Sequence, residues 1–217
     1  MTDSYIDQET LERYAEQGWG QRRIGFGMNT ALLIVDMQHD FVDPAGSATC
    51  APMAVDRLPD VHTLLAAARK AAIPVFHSMG VVRPDLSDVG LWKGAAKREG
   101  RCQIDGSWGA EIVAVLAPEG GEHVVRKTRP SAFFDTDLHE RLRALGVDSL
   151  LIAGASMSGC VRATIVDAFS RDYRVAVVRE CVVDRSEQLV ERNLFDVDAK
   201  YADAISLHEA LEYLASR

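Results

Sequence analysis

The sequence predicts a single-domain α/β protein of three layers, with a six-stranded, mostly parallel sheet covered by helices on both faces. Three observations point there. Short apolar runs, ALLIV at 31–35, SLLIA at 149–153 and RVAVV at 174–178, suit strands buried on both sides. Between them lie segments whose apolar residues recur at helical spacing, and strands alternating with helices build parallel sheets. The chain has 217 residues, 47% hydrophobic and 26% charged, enough for one sizeable core.

Each element has its own signal. Residues 8–17 suit a short polar helix that stops at Gly18-Trp19-Gly20. The first buried strand is 31–35, ending at Asp36, followed by a loop with Pro44 and Gly46. In 58–71 the residues Val61, Leu64, Leu65 and Ala68 share one helix face. Pro74 precedes a second strand at 75–77. Residues 80–109 carry Gly, Pro and little periodicity, the mark of a long functional loop. A strand at 124–126 runs into Lys127. Leu138, Leu142 and Leu145 mark a helix closed by Gly146 in the left-handed region. After the strand at 149–153, Gly154 to Gly159 is a small-residue turn, and Cys160 to Phe169 reads as a helix. A strand at 174–178, a helix at 187–199, a short strand at 204–206 and a helix at 207–215 complete the chain. Residues 1–24 form an N-terminal arm before a domain spanning 25–217.

Composition narrows the function. Lys plus Arg number 24 against 32 Asp plus Glu, a net charge of -8, which disfavours nucleic acid as a partner. No apolar run spans a membrane and no leader-like apolar stretch opens the chain, so a cytoplasmic protein is expected. The four cysteines, Cys50, Cys102, Cys160 and Cys181, have no zinc spacing and are expected as free thiols.

In open α/β sheets, ligands sit beyond the carboxyl ends of the strands. That rule selects Asp36, Lys127 and, past the small-residue turn, Cys160. A carboxylate, an ammonium and a thiol suit acyl transfer to cysteine with loss of an amine. A helix N-terminus and Lys127 favour the thiolate of Cys160. Asp36 can take the thiol proton and return it to the leaving group. Backbone N–H groups of the Gly154–Cys160 turn can hold the oxyanion. Read singly, each has a bland alternative: a polar strand end, a surface lysine, a small core residue.

The blocks ALLIVDMQHDFVDP (31–44), VVRKTRPSAFFDTDL (124–138) and LLIAGASMSGCVRATIVDAFSRDY (150–173), in that order, resemble the isochorismatase-like cysteine hydrolases. The GFG at 25–27, GLW at 90–92, SGCVRATIVDA at 158–168 and NLFDVDAKYAD at 193–203 are most similar to the N-carbamoylsarcosine amidase and maleamate amidohydrolase branch. The resemblance implies a Rossmann-like hydrolase fold. It implies Cys160 as nucleophile, Asp36 as base and acid, and Lys127 as third triad member. It also implies a cis peptide at Ala155–Ser156 and oxyanion donors at Ser156 and Cys160. Arg185 matches the branch's carboxylate-binding arginine, with an ion pair to Asp184 or Glu187 as its structural alternative. Phe41 and Trp92 are pocket candidates, and Arg129 is a further candidate cation for an anionic substrate.

The implied reaction cleaves the C–N bond of a small carboxylate-bearing amide or carbamoyl compound, releases ammonia and uses no cofactor. N-carbamoylsarcosine is the first substrate expected and maleamate the second. The strand at 75–77 leads into a segment without the Asp-x-His of metal-dependent nicotinamidases, and the six histidines show no ligand spacing, so no metal is expected. Cys160 argues against a true isochorismatase. A family member acting only as a binding module is the non-enzymatic reading. The arm and the 80–109 loop are candidate contacts of a homo-oligomer, a dimer or tetramer.

Overall fold

The computed structural model describes residues 7–20, 22–46 and 50–217. Residues 1–6 and 21 of the arm lie outside the described part. Six strands, β1 (Thr30–Val35), β2 (Val75–Gly80), β3 (His123–Lys127), β4 (Ser149–Ala155), β5 (Arg174–Val183) and β6 (Asp203–Ile205), form one sheet. Their order is β3-β2-β1-β4-β5-β6. Every pairing is parallel, so the sheet is wholly rather than mostly parallel.

The apolar runs are explained by two cores, one on each face. Successive strand side chains point to opposite faces. In β1, Leu33 and Val35 join Leu150, Ile152, Val177, Ile165 and Leu194 on one side. Leu32 and Ile34 join Leu151, Ala153, Val178, Leu64 and Leu65 on the other. The first face is covered by α5 (Leu138–Ala144), α6 (Arg162–Phe169) and α7 (Glu187–Lys200). The second is covered by α3 (Ala51–Lys70) and α8 (Leu207–Ala215). At about 25 cal/mol per Å² of apolar surface removed from water, these two layers supply most of the driving force for folding.

Several boundaries differ from those the sequence predicts. Helix α3 begins at Ala51, seven residues before the predicted start. Pro52 sits in its first turn, where its missing N–H costs nothing, and Pro59 lies inside the helix. Strand β5 runs ten residues, and its pairing with β4 shifts register between Ile152 and Gly154. The 80–109 loop is not bare, since it contains a four-residue helix, α4 (Ala95–Arg98), and reaches a 3-10 turn at Trp108–Ala110. Its irregular backbone is tied down by bridges from Val82 to Ile104 and from Gln38 to Ile112. A further short helix, α2 (His39–Val42), follows β1 without any strong signal in the sequence. Gly146 adopts φ +67° after α5, as its position predicts.

The arm carries α1 (Gln8–Glu16), capped by the Asp7 carboxylate. Its Tyr14 ring lies 5.5 Å from the Phe195 ring of α7 in the same chain. No helix among the described residues is long and apolar enough to cross a membrane.

Candidate active site

The sheet order reverses between β1 and β4, and polar groups gather at the carboxyl ends there. Asp36 follows β1 directly. Its backbone sits at φ +48°, in the left-handed region that Asp tolerates better than most residues. The side chain is fully buried. Lys127, the last residue of β3, reaches across β2 and places Nζ 2.6 Å from Asp36 Oδ2. It passes beside Gly80, its register partner in β2. A Cβ at Gly80 would fall 2.6 Å from Gln103 Nε2, so a side chain there would have to displace the buried Gln103 amide.

The other oxygen of Asp36 accepts a 2.6 Å hydrogen bond from Ser78 Oγ. Lys127 also donates to the Arg129 carbonyl at 3.2 Å. Burial alone would push the Lys127 ammonium toward neutrality, but Asp36 and Cys160 beside it outweigh that and raise its pKa. Lys127 is therefore a buried charged group, not a surface lysine.

Cys160 comes from the far side of the switch point. The peptide Ala155–Ser156 is cis. The chain then makes a wide turn over Met157–Val161, kinked at Gly159, before α6 starts at Arg162. The side chain of Cys160 is buried and within hydrogen-bonding reach of both Asp36 and Lys127. Burial, and after it the Asp36 charge, push the thiol up to about 12, with Lys127 offsetting only part. The pull of Lys127 toward the thiolate, expected from the sequence, is thus outweighed in the resting site. Desolvation exceeds the effect of one cation, and Cys160 precedes the first turn of α6 rather than opening it.

The remaining predicted residues fall in different places. The Arg185 side chain is 58% exposed, with Nε 3.3 Å from Asp184 Oδ1. The pair with Asp184 is therefore present, whereas Glu187 binds Arg57 at 2.6 Å. Asp184 is fully buried and also accepts from the backbone N–H of Ser158 at 2.6 Å, which anchors the turn carrying Cys160. Arg129 spends its Nη1 on the carbonyls of Asp88 and Thr128. Its side chain lines a surface cavity of about 630 Å³ with Phe134, Ser158 and Arg162. Phe41 packs, half-buried, against the core on the α3 side. Trp92 donates from its indole N–H to the Thr128 carbonyl at 3.1 Å, one residue beyond Lys127. Cys50 and Cys181 are core thiols, and Cys102 is half-buried beside a cavity lined by Asp40, Ala96 and Trp108.

Three residues near this site have no strong sequence signal. Gln38 is fully buried and clasps Gly80 from both sides, accepting from its N–H at 2.9 Å and donating to its carbonyl at 3.0 Å. Ser78 holds Asp36. Lys97, on α4, is only 8% exposed, and its ammonium lies 4.4 Å from the centre of the Trp92 ring. Burial lowers its pKa, as does Lys127, while Cys160, Asp36 and Cys102 act to raise it. A lone Lys in an irregular loop reads as solvated; only the fold buries it.

Three comparisons bear on this geometry. The model of the isochorismatase domain family matches residues 30–209. A maleamate amidohydrolase from Pseudomonas putida is 40% identical over 199 residues, covering 90% of this chain and 91% of that protein. An N-carbamoylsarcosine amidase from Arthrobacter sp. is 34% identical over 206 residues, covering 93% of this chain and 76% of that protein. A crystal structure of an isochorismatase family protein from Desulfovibrio vulgaris superposes with a TM-score of 0.79 at 38% identity, covering 88% of this chain and 100% of that one.

Proposed function

Because the chain belongs to the isochorismatase family, we propose that it is a cysteine-dependent amidohydrolase. Its substrate is a small amide or carbamoyl compound that carries a carboxylate, and ammonia is released. The observation that carries this reading is the buried Lys127–Asp36 pair at 2.6 Å with the Cys160 side chain against both.

The steps follow from the groups present. The resting thiol is neutral, so Asp36 accepts its proton as Sγ attacks the carbonyl carbon. Backbone N–H groups of Ser156 and Cys160 receive the oxyanion. Lys127, hydrogen-bonded to Asp36 at 2.6 Å, stabilises the negative charge that moves between Asp36, sulfur and oxygen. Asp36 returns the proton to the nitrogen, the C–N bond breaks and ammonia leaves an acyl-enzyme. Water, deprotonated by Asp36, then attacks the thioester and frees the acid. One water is consumed, one amide bond is broken, and no redox or metal step is required.

Two substrates are supported equally by this machinery, N-carbamoylsarcosine and maleamate. The first is a flexible tertiary urea and the second a planar cis-enoic monoamide. Likeness to the maleamate amidohydrolase is the greater, at 40% against 34% identity. Ammonia release from each, measured with purified protein, separates them. Cys160→Ala is expected to abolish release from whichever is turned over while circular dichroism stays unchanged. Ammonia release by a well-folded Cys160→Ala protein overturns the nucleophile.

The protein further reads as a homo-oligomer working in a reducing compartment, where its thiols stay free. Support for assembly comes from Leu91, fully exposed in the 80–109 loop beside Trp92 and Pro130.

A further inference from the structure

Lys127 reaches Asp36 only by crossing the end of β2, so the distance between the two depends on where Gly80 lies. On the β3 side Gly80 is well fixed. It is the register partner of Lys127, and the Lys127 carbonyl accepts from the Val81 N–H at 2.9 Å. On the β1 side the ladder has already stopped. The register of β1 against β2 ends at Val35 and Ser78, and Asp36 leaves the strand at φ +48°.

Gln38 stands where that ladder is missing. Its backbone N–H donates to the Asp36 carbonyl at 2.9 Å. Its side chain, fully buried, accepts from the Gly80 N–H at 2.9 Å and donates to the Gly80 carbonyl at 3.0 Å, as the peptide groups of a neighbouring strand do. The same Nε2 donates to the Ala110 carbonyl at 2.7 Å. Gln103 sets which way this carboxamide faces, because its Nε2 donates to Gln38 Oε1 at 3.3 Å. Gln103 is itself buried and held at φ +56°, a costly conformation for a residue with a side chain. It is kept there by its N–H on the Asp40 carboxylate and by the Val82 N–H on its carbonyl at 2.8 Å.

We propose that Gln38 is a positioning residue of the reaction: its carboxamide, oriented by Gln103, fixes Gly80 and thereby the separation of Asp36 and Lys127. This rests on the amidohydrolase reading above. Gln38 acts through Gly80 rather than on the substrate, so it governs the rate of bond breaking and leaves binding alone.

Gln38→Met keeps the length of the side chain and removes its hydrogen bonds. With whichever amide wild type turns over, kcat should fall about 10- to 100-fold, the cost of misplacing reacting groups by about 1 Å, while KM changes by less than about 3-fold. Leu64→Ala opens a cavity in the core on the α3 side and serves as the comparison for plain destabilisation. It should lower the thermal midpoint yet leave kcat unaltered at a temperature where it is folded. Gln103→Met, whose backbone ties remain, should lower kcat by about 3- to 10-fold. The double variant should lose no more than Gln38→Met alone, because the two carboxamides act in series. A rise in KM with kcat unchanged, an equal kcat loss in Leu64→Ala, or losses that multiply in the double variant overturn the assignment. Where Gln38→Met does not fold, Gln103→Met decides, and an unchanged kcat in it overturns the assignment.

Crystal structures of the same variants separate this assignment from the reaction. The Lys127 Nζ to Asp36 Oδ2 distance should open from 2.6 Å to beyond about 3.5 Å. If wild type hydrolyses neither amide yet the distance opens, the reaction reading fails and the positioning role stands. A distance that stays at 2.6 Å overturns the positioning role.

Discussion

Lys127 and Asp36 are each other's condition for being buried. An unpaired ion in this position costs several kcal/mol, and the pair persists because Ser78 and the Arg129 carbonyl satisfy the remaining hydrogen-bonding groups. Lys127→Met is therefore expected to lower stability by about 3 to 5 kcal/mol, read from urea denaturation, in addition to its effect on turnover. Asp36→Asn keeps the shape but cannot accept the thiol proton, and a loss of about 100- to 10,000-fold in kcat is expected. Alkylation should track the burial of Cys160. The thiol, pushed up to about 12, stays protonated at pH 7, so iodoacetamide labelling should remain slow up to about pH 9, measured by mass spectrometry. Rapid labelling at pH 6 would contradict the burial argument.

The same residue scale shows what a sequence can and cannot reveal. Asp36 and Lys127 stand out because an apolar run ends on each, and strand ends are where α/β sheets place ligands. The protonation of Cys160 does not stand out, because it depends on desolvation, which no local pattern encodes. Lys97 and Gln38 are hidden for a related reason. Both are ordinary polar residues in aperiodic segments, and only tertiary packing removes their solvent.

Among the elements, β1 and β4 meet with no space between their backbones at Gly154. Gly154 adopts φ +118°, where the register of β4 against β5 shifts. A Cβ there would lie 2.1 Å from the Val35 carbonyl oxygen, and that atom is backbone that cannot swing aside. Gly154→Ala must push β1 away one residue before Asp36. A loss of about 3 kcal/mol is expected, with kcat falling along with stability, readable by thermal melts and ammonia release. The glycine is visible in the sequence as part of a small-residue turn, yet its role as a contact between strands is not. Strand cores were legible from periodicity alone, whereas the start of α3 was not, since Pro59 resembles a helix boundary and packing carries the helix through it.

A second tie links α3 to the β2–β3 edge. Arg69 Nε lies 2.7 Å from Glu122 Oε1, and His77 Nε2 of β2 lies 3.0 Å from Glu122 Oε2. Burial would raise the Glu122 pKa, but Arg69, the Glu119 backbone and His77 together bring it down to about 2, below its ordinary 4.5. A folded value below the unfolded one adds stability that is complete above pH 4.5 and is lost as pH falls toward 2. Glu122→Gln should remove up to about 3 kcal/mol at pH 7 and flatten the decline between pH 4.5 and 2, measured by urea midpoints across that range.

For the whole molecule, assembly is the open quantity that a measurement can fix. Leu91 is fully exposed and Phe134 is 56% exposed, both near the mouth of the site. Light scattering should return a dimer or tetramer mass, and Leu91→Asp should reduce it if the loop lies at the contact. A monomeric wild type would remove the assembly reading and leave the chemistry untouched.

The connection between β2 and β3 has a wider consequence. Other crossovers in this sheet are built around a helix packed on the core, but this one is an extended, pinned excursion from Val81 to Glu122 that holds only the four-residue α4 and short turns. It carries Trp92 and Lys97, while Asp36, Lys127 and Cys160 stand outside it. On the roles proposed above, the bond-breaking groups lie on the strand ends, outside an excursion that carries the pocket candidate Trp92. Exchange of that one excursion between relatives should transplant preference between amides while the reacting groups stay as they are, so the fold can acquire new substrates without reopening its core.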